Sequence, residues 1–141
     1  MDLDSMFSGM NVSSSGMSAE RRRMDVIARN IANANVVATP EGEAYRRKDV
    51  IFETVLDQFG DGMPGGVRIK ETVADFETPM NEVFDPKHPM ADENGIVQYP
   101  NVNMAFEMVD MMTSARSYEA NMKAMKLYRD MMTQALSLLE R

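Results

Sequence analysis

The residues best equipped for chemistry lie around the single histidine, His88, which sits between two carboxylates in Asp85-Pro86-Lys87-His88-Pro89-Met90-Ala91-Asp92. A metal ion or an acid/base step could draw on such a trio. Without a second His or any Cys, however, it gives at best a carboxylate-rich site of low specificity, and Pro86 and Pro89 explain the segment as a rigid turn. The sixteen methionines offer soft thioethers of the kind that bind Cu(I) in short-spaced tracts, but here they recur at helical spacing, which points to packing. Arg21-Arg22-Arg23 could meet a phosphate, yet Glu20 and Asp25 flank the run, as on a charge-paired helix surface. In Asn30-Ile31-Ala32-Asn33-Ala34-Asn35, three poor helix formers fall where a helix ends. Their amides either bond backbone groups there or in a neighbouring chain, or form a plain cap and turn. The sequence has no phosphate-cradling glycine loop and no Ser/His/Asp set. No catalytic residue, cofactor or metal is therefore assigned, and the chain reads as a non-enzyme.

The bulk properties narrow the classes further. A chain of 141 residues, 26% charged and 44% apolar, has the composition of a folded protein and the length of one ordinary domain. Its net charge of −7 disfavours nonspecific binding to nucleic acid or to an anionic membrane. With no cysteine, disulfides, thiolate zinc sites and cysteine nucleophiles are excluded. The opening MDLDSMFSGM is acidic where a secretory signal would be basic, and no long apolar run follows, so neither a cleaved Sec signal nor a membrane span is expected.

The elements that would position these residues fall into three parts. All six prolines lie between Pro40 and Pro100, while thirteen of the sixteen methionines lie outside that stretch. Residues 1–35 are read as an N-terminal helix, 36–103 as a β-rich or loop insert, and 104–141 as a C-terminal helix. In the last, gaps alternating four and three from Met104 through Met108, Met111, Ala115, Tyr118, Met122, Met125, Arg129, Met132, Leu136 and Leu139 meet ten apolar residues in eleven positions. That is a coiled-coil seam. The N-terminal segment repeats at seven through Met10, Met17, Met24 and Ile31, joined by Ile27 and Ala34, and Gly9 and Gly16 share a stripe open to close approach. The expected fold is mainly α: long terminal helices packed as a coiled-coil-like hairpin around a small β-rich insert, with apolar surface left over for neighbours. In the insert, 50–52, 66–70, 83–84 and 96–99 are strand candidates, with a Pro-Gly-Gly turn at 64–66.

At Ile27-Ala28-Arg29-Asn30-Ile31-Ala32-Asn33-Ala34-Asn35 the chain resembles the N-terminal signature of the bacterial flagellar axial proteins, the rod, hook and hook-associated family. Gly42 to Lys48 with its Tyr-Arg-Arg, the stretch DPKHPMADENGIVQYPNVN, and Glu107-Met108-Val109-Asp110 leading into Ala115-Arg116-Ser117-Tyr118-Glu119-Ala120-Asn121 narrow the resemblance to a proximal rod component. It runs from about residue 5 to 139, and residues 56–66 match no pattern of the family.

The resemblance implies a subunit exported through the flagellar type III apparatus and assembled into a hollow drive shaft that transmits torque. It implies as partners copies of the chain, other proximal and distal rod proteins, and the export-gate/MS-ring adaptor at the rod base, with no nucleic acid and no small-molecule substrate. The residues expected at assembly interfaces are Met10, Met17, Met24, Ile27, Asn30, Ile31, Asn33, Asn35, Tyr118, Asn121, Met122, Met125, Met132, Leu136 and Leu139. Because one chain offers each seam a single partner, the ends are expected to order fully only on assembly. Two other classes compete: a coiled-coil adaptor or chaperone holding a client helix in a Met-rich groove, and a small metalloenzyme centred on His88.

Overall fold

The computed structural model describes residues 3–37, 42, 44–56 and 64–139. Two helices bracket two β-hairpins. Helix α1 spans Leu3–Asn33 and helix α2 spans Met104–Leu139, and between them come β1 (Lys48–Leu56), β2 (Pro64–Ala74), β3 (Asn81–Phe84) and β4 (Ile96–Tyr99). The mainly α expectation with a β insert holds.

Local chemistry explains the helix bounds. Helix α2 contains neither Gly nor Pro and is rich in Met, Ala, Leu, Lys and Arg, all strong helix formers. It starts at Asn103, whose side-chain oxygen accepts from the amides of Ala105 (3.0 Å) and Phe106 (3.3 Å) as an N-cap. Its 36 residues span about 54 Å. Helix α1 ends at the asparagine run, where Ala34 N–H bonds Ile31 O at 3.3 Å and Val36 N–H bonds Asn33 O at 3.0 Å.

The insert forms two separate two-stranded antiparallel sheets. All four strand candidates fall within strands. The turn expected at 64–66 is not one: Pro64 opens β2, where the missing amide is tolerated, and Gly66 sits inside the strand at φ 126°. Residues 57–63 lie outside the described residues. A lone hairpin is marginal in water, and the first one leans on α1. Val67 N–H donates to Ser15 Oγ at 3.0 Å, and a Cβ on Gly66 would stand 2.3 Å from that oxygen. The backbone of the second hairpin's strands stays clear of both helices and of the first hairpin, although Val97 of β4 is wholly buried and Asn81 of β3 shares a cleft with Phe106 and Glu107 of α2. Asn81 Nδ2 donates to Pro100 O at 2.8 Å and the Asp85 amide to Gly95 O at 2.9 Å, extending the pairing at both ends of the hairpin, and Asn101 just beyond β4 ties its flank to Asp75 O, Thr78 O and the Arg47 amide.

The core is thin. Among the described residues the buried apolar side chains are Ala19, Ile27, Ala34, Val50, Val97 and Val102, while seventeen large apolar residues are exposed. No described helix is long and apolar enough to cross a membrane.

Candidate assembly interface

At one end of the helical hairpin a buried polar junction ties together stretches far apart in sequence. Asn30 is wholly buried, and its amide is fully used. Nδ2 donates to Lys48 O (2.8 Å) and Glu107 Oε2 (2.9 Å), while Oδ1 accepts from the Tyr45 hydroxyl (2.8 Å) and the Lys48 amide (3.0 Å). Glu107, 1% exposed, takes Arg47 Nε on its other oxygen at 2.6 Å. Burial works against the Arg47 charge, but the hydrogen bond and charge of Glu107, with those of Asp49, outweigh it and raise the guanidinium further. Burial, then the Glu107 charge, hold the Tyr45 phenol above its ordinary range although Arg29 pulls the other way, so it stays a donor. One step out, Asn101 Oδ1 accepts from the Arg47 amide at 2.8 Å, and its Nδ2 donates to Asp75 O (3.0 Å) and Thr78 O (3.1 Å). The N-terminal helix, both flanks of the insert and the C-terminal helix thus meet in one network.

Away from the junction the two helices run antiparallel in a single register. Asn30 meets Glu107, Gly16 faces Asn121 and Gly9 faces Tyr128, so each step of seven along α1 is matched by an equal step back along α2. The glycines permit this approach: a Cβ would lie 2.6 Å from the Tyr128 ring at Gly9 and 2.9 Å from the Asn121 amide at Gly16. The α2 side of the seam is therefore Glu107, Ser114, Asn121 and Tyr128, mostly polar. The Ser114 hydroxyl is buried without a hydrogen-bond partner, a cost that weakens the seam.

That register lies one residue from the one expected. Met111, Tyr118, Met125 and Met132 are half-buried on a flank of the contact, but Met104, Met108, Met122 and Leu136 are exposed. Helix α2 thus turns polar groups toward its own chain and apolar ones outward. Ten of the seventeen exposed large apolar residues belong to it.

In α1, Met10, Met17, Met24 and Ile31 are half-buried and Ile27 is buried. Asn33 donates to Arg29 O of its own helix at 2.8 Å, and Asn35 is exposed. Asn121, half-buried, donates to Ser117 O at 3.1 Å as well as facing Gly16. Leu139 ends α2, and its side chain lies outside the described residues. The sequence reading missed Tyr45, Arg47, Asn101 and Glu107 as junction residues. A signal did exist, because Tyr45-Arg46-Arg47, Asn101 and Glu107 all fall in segments that carried the resemblance.

The His88 segment is a turn. His88 N–H bonds Asp85 O (3.1 Å), Ala91 N–H bonds His88 O (3.0 Å), and His88 Nδ1 accepts from the Met90 amide at 3.1 Å. With Nδ1 engaged this way, His88 is held in local backbone bonding, and among the described residues no group of three or more His, Asp and Glu could hold a metal ion.

Comparison with known proteins places this architecture. The family described as "Flagella basal body rod protein" matches residues 10–38, and "Flagellar basal body rod FlgEFG protein C-terminal" matches residues 93–138. Those stretches hold the two helices that the Asn30–Glu107 junction joins, so the class of protein is a flagellar basal-body rod protein. Within that class the chain is 37% identical to "Flagellar basal-body rod protein FlgC" of Borreliella burgdorferi, covering 96% of this chain and 98% of that one. It is 37% identical to the protein of that name from Salmonella typhimurium (91% and 93% covered) and 38% identical to that of Bacillus subtilis (94% and 97%). The chain belongs to the FlgC family of flagellar basal-body rod proteins. It is a structural subunit of the basal-body rod that assembles with other flagellar axial proteins, and it is not an enzyme. Neither the adaptor nor the metalloenzyme reading is favoured.

Proposed function

We propose that the chain is a proximal-rod subunit. On this reading it is exported by the flagellar type III apparatus and assembled where the rod crosses the periplasm, with copies of itself, with proximal and distal rod proteins, and with the export-gate/MS-ring adaptor at the rod base. Together they form the hollow shaft that carries torque. The observation that supports this is the outward apolar face of α2. Met108, Met112, Met122, Leu127, Leu136 and Leu138 are 48–73% exposed along some 45 Å of helix whose polar side is already engaged. A subunit that must be gripped from several sides needs such a face, and rigidity follows once many helices bury theirs side by side.

The test is a Met122→Asp, Leu136→Asp double variant expressed in a strain lacking its own rod subunit of this type. Both side chains are about half exposed, so the fold should survive. In an assembled rod, each would give up a burial worth roughly 1.5–3 kcal/mol and strand a charge. The expected result is a chain that is made and exported but supports no motility and is missing from isolated basal bodies. Motility at the unmodified level would overturn the reading.

A further inference from the structure

The second hairpin is built like a plug. All four residues of β3 are exposed, with Val83 at 46% and Phe84 at 74%, although such side chains normally seek cover. The β4 side is covered, with Val97 wholly buried and Val37 and Ala44 beside Ile96 and Gln98, but among the described residues no helix or strand other than β4 pairs with β3. Residues 81–95 carry four carboxylates, Glu82 and Glu93 among them, against one lysine. On another side of the molecule, α1 and the first hairpin leave a groove of about 490 Å³ between them. Its apolar walls include Val26 and Val50, and its charged residues are Arg22, Arg29 and Lys48 against the single Asp25. An acidic, aromatic tip and a basic, apolar-floored groove therefore coexist on one chain, and the tip does not occupy the groove of its own molecule.

We infer that the β3–β4 hairpin of one copy docks into the α1/β1–β2 groove of a second copy. Phe84, on the face opposite Val83, goes to the apolar floor, and the flanking carboxylates to Arg22, Arg29 and Lys48. A contact between two different patches of the same chain is heterologous, so it propagates from copy to copy instead of closing into a pair, which is the geometry a rod requires. Charge complementarity favours the chain's own copy: the protein is acidic overall at −7, and its net-basic groove faces a net-acidic hairpin. The inference rests on the rod-subunit reading and adds to it which surfaces meet.

Because the chain has no cysteine, introduced thiols report without background. Two copies would be co-expressed in a strain lacking its own subunit: Val83→Cys on the hairpin, and Thr72→Cys, which lines the groove. Intact basal bodies would then be treated with a short thiol cross-linker. The inference expects a dimer of this chain that exceeds the yield from Val83→Cys paired with Glu119→Cys, an exposed position on α2. It also expects Arg22→Glu with Arg29→Glu to lower incorporation by about tenfold, and Glu82→Lys with Glu93→Lys in the same chain to restore it. Basal bodies that incorporate both thiol copies yet link no better than the control would overturn the docking and leave the rod reading intact. So would normal incorporation of the double-glutamate variant. Cross-linking of Val83→Cys only to a different rod protein would assign the hairpin to that partner and also overturn the inference. If the unmodified chain fails to restore the rod, both readings fall.

Discussion

Asn30 satisfies four polar groups from two distant segments, and no other side chain of its size offers two donors and two acceptors at one planar head. Asn30→Ala would strand the buried Glu107 oxygen and the Lys48 backbone. At roughly 1–3 kcal/mol per buried group left unpaired, a loss of at least about 3 kcal/mol in unfolding free energy is expected. Asn30→Asp keeps the shape but sets a second carboxylate against Glu107 and removes both donors, so it should cost no less. Denaturant unfolding of the two variants checks this, and a near-neutral Asn30→Asp would show that the junction is dispensable. The neighbouring phenol adds a pH signature. Tyr45 is held above its ordinary value, first by burial and then by Glu107, so its folded state favours the protonated form. That contribution is complete below the unfolded value of about 10 and is lost as pH rises through the higher folded value. Stability of the native chain should therefore fall more steeply than that of Tyr45→Phe as pH rises above about 10. Asn30 stood out in the sequence because an amide is odd in a helix. Its partners did not, since Glu107 lies 77 residues away and nothing local marks a glutamate as buried.

At the scale of elements, glycine substitutions separate close approach from backbone strain. At Gly16, alanine gains up to about 1 kcal/mol of helix propensity, while the new Cβ pushes on the end of the Asn121 side chain, which can swing away. Gly16→Ala should therefore change stability by less than about 1 kcal/mol. Gly66 is different. Its φ of 126° is one that alanine resists, and the contact is with Ser15 Oγ, which is already fixed between Val12 O and the Val67 amide. Gly66→Ala should cost at least about 2 kcal/mol and loosen the first hairpin from α1, read as faster amide exchange at Val67. Strand positions were legible because alternation of period two survives in pieces as short as 66–70 and 96–99. The helix register was not, because periodicity marks the apolar stripe, and here the stripe of α2 that faces α1 is mostly polar. Gly9, Gly16, Ser114 and Asn121 mark the intrachain contact by being small or polar.

For the whole molecule, the balance between ordering and burial sets where the isolated chain should be firm. Ordering a residue costs roughly 1–2 kcal/mol of backbone entropy, and a buried Leu or Met side chain contributes about 1.5–3 kcal/mol against it. Near Asn30 and Glu107 the helices have that compensation and a saturated network besides. Towards Gly9 and Tyr128 they share a seam of glycine and polar groups, and the ten large apolar side chains exposed on α2 contribute nothing until a neighbour covers them. Surplus apolar surface was readable from the two apolar seams; which end of the hairpin is pinned was not, because the pin is polar. Amide exchange on the purified monomer is accordingly expected to be slow around residues 27–34 and 105–118 and progressively faster towards residue 10 and beyond residue 125, with that gradient erased when the chain is in the rod. Uniformly slow exchange along both helices, at a concentration where the chain is monomeric, would contradict assembly-coupled ordering and mark a hairpin complete in itself.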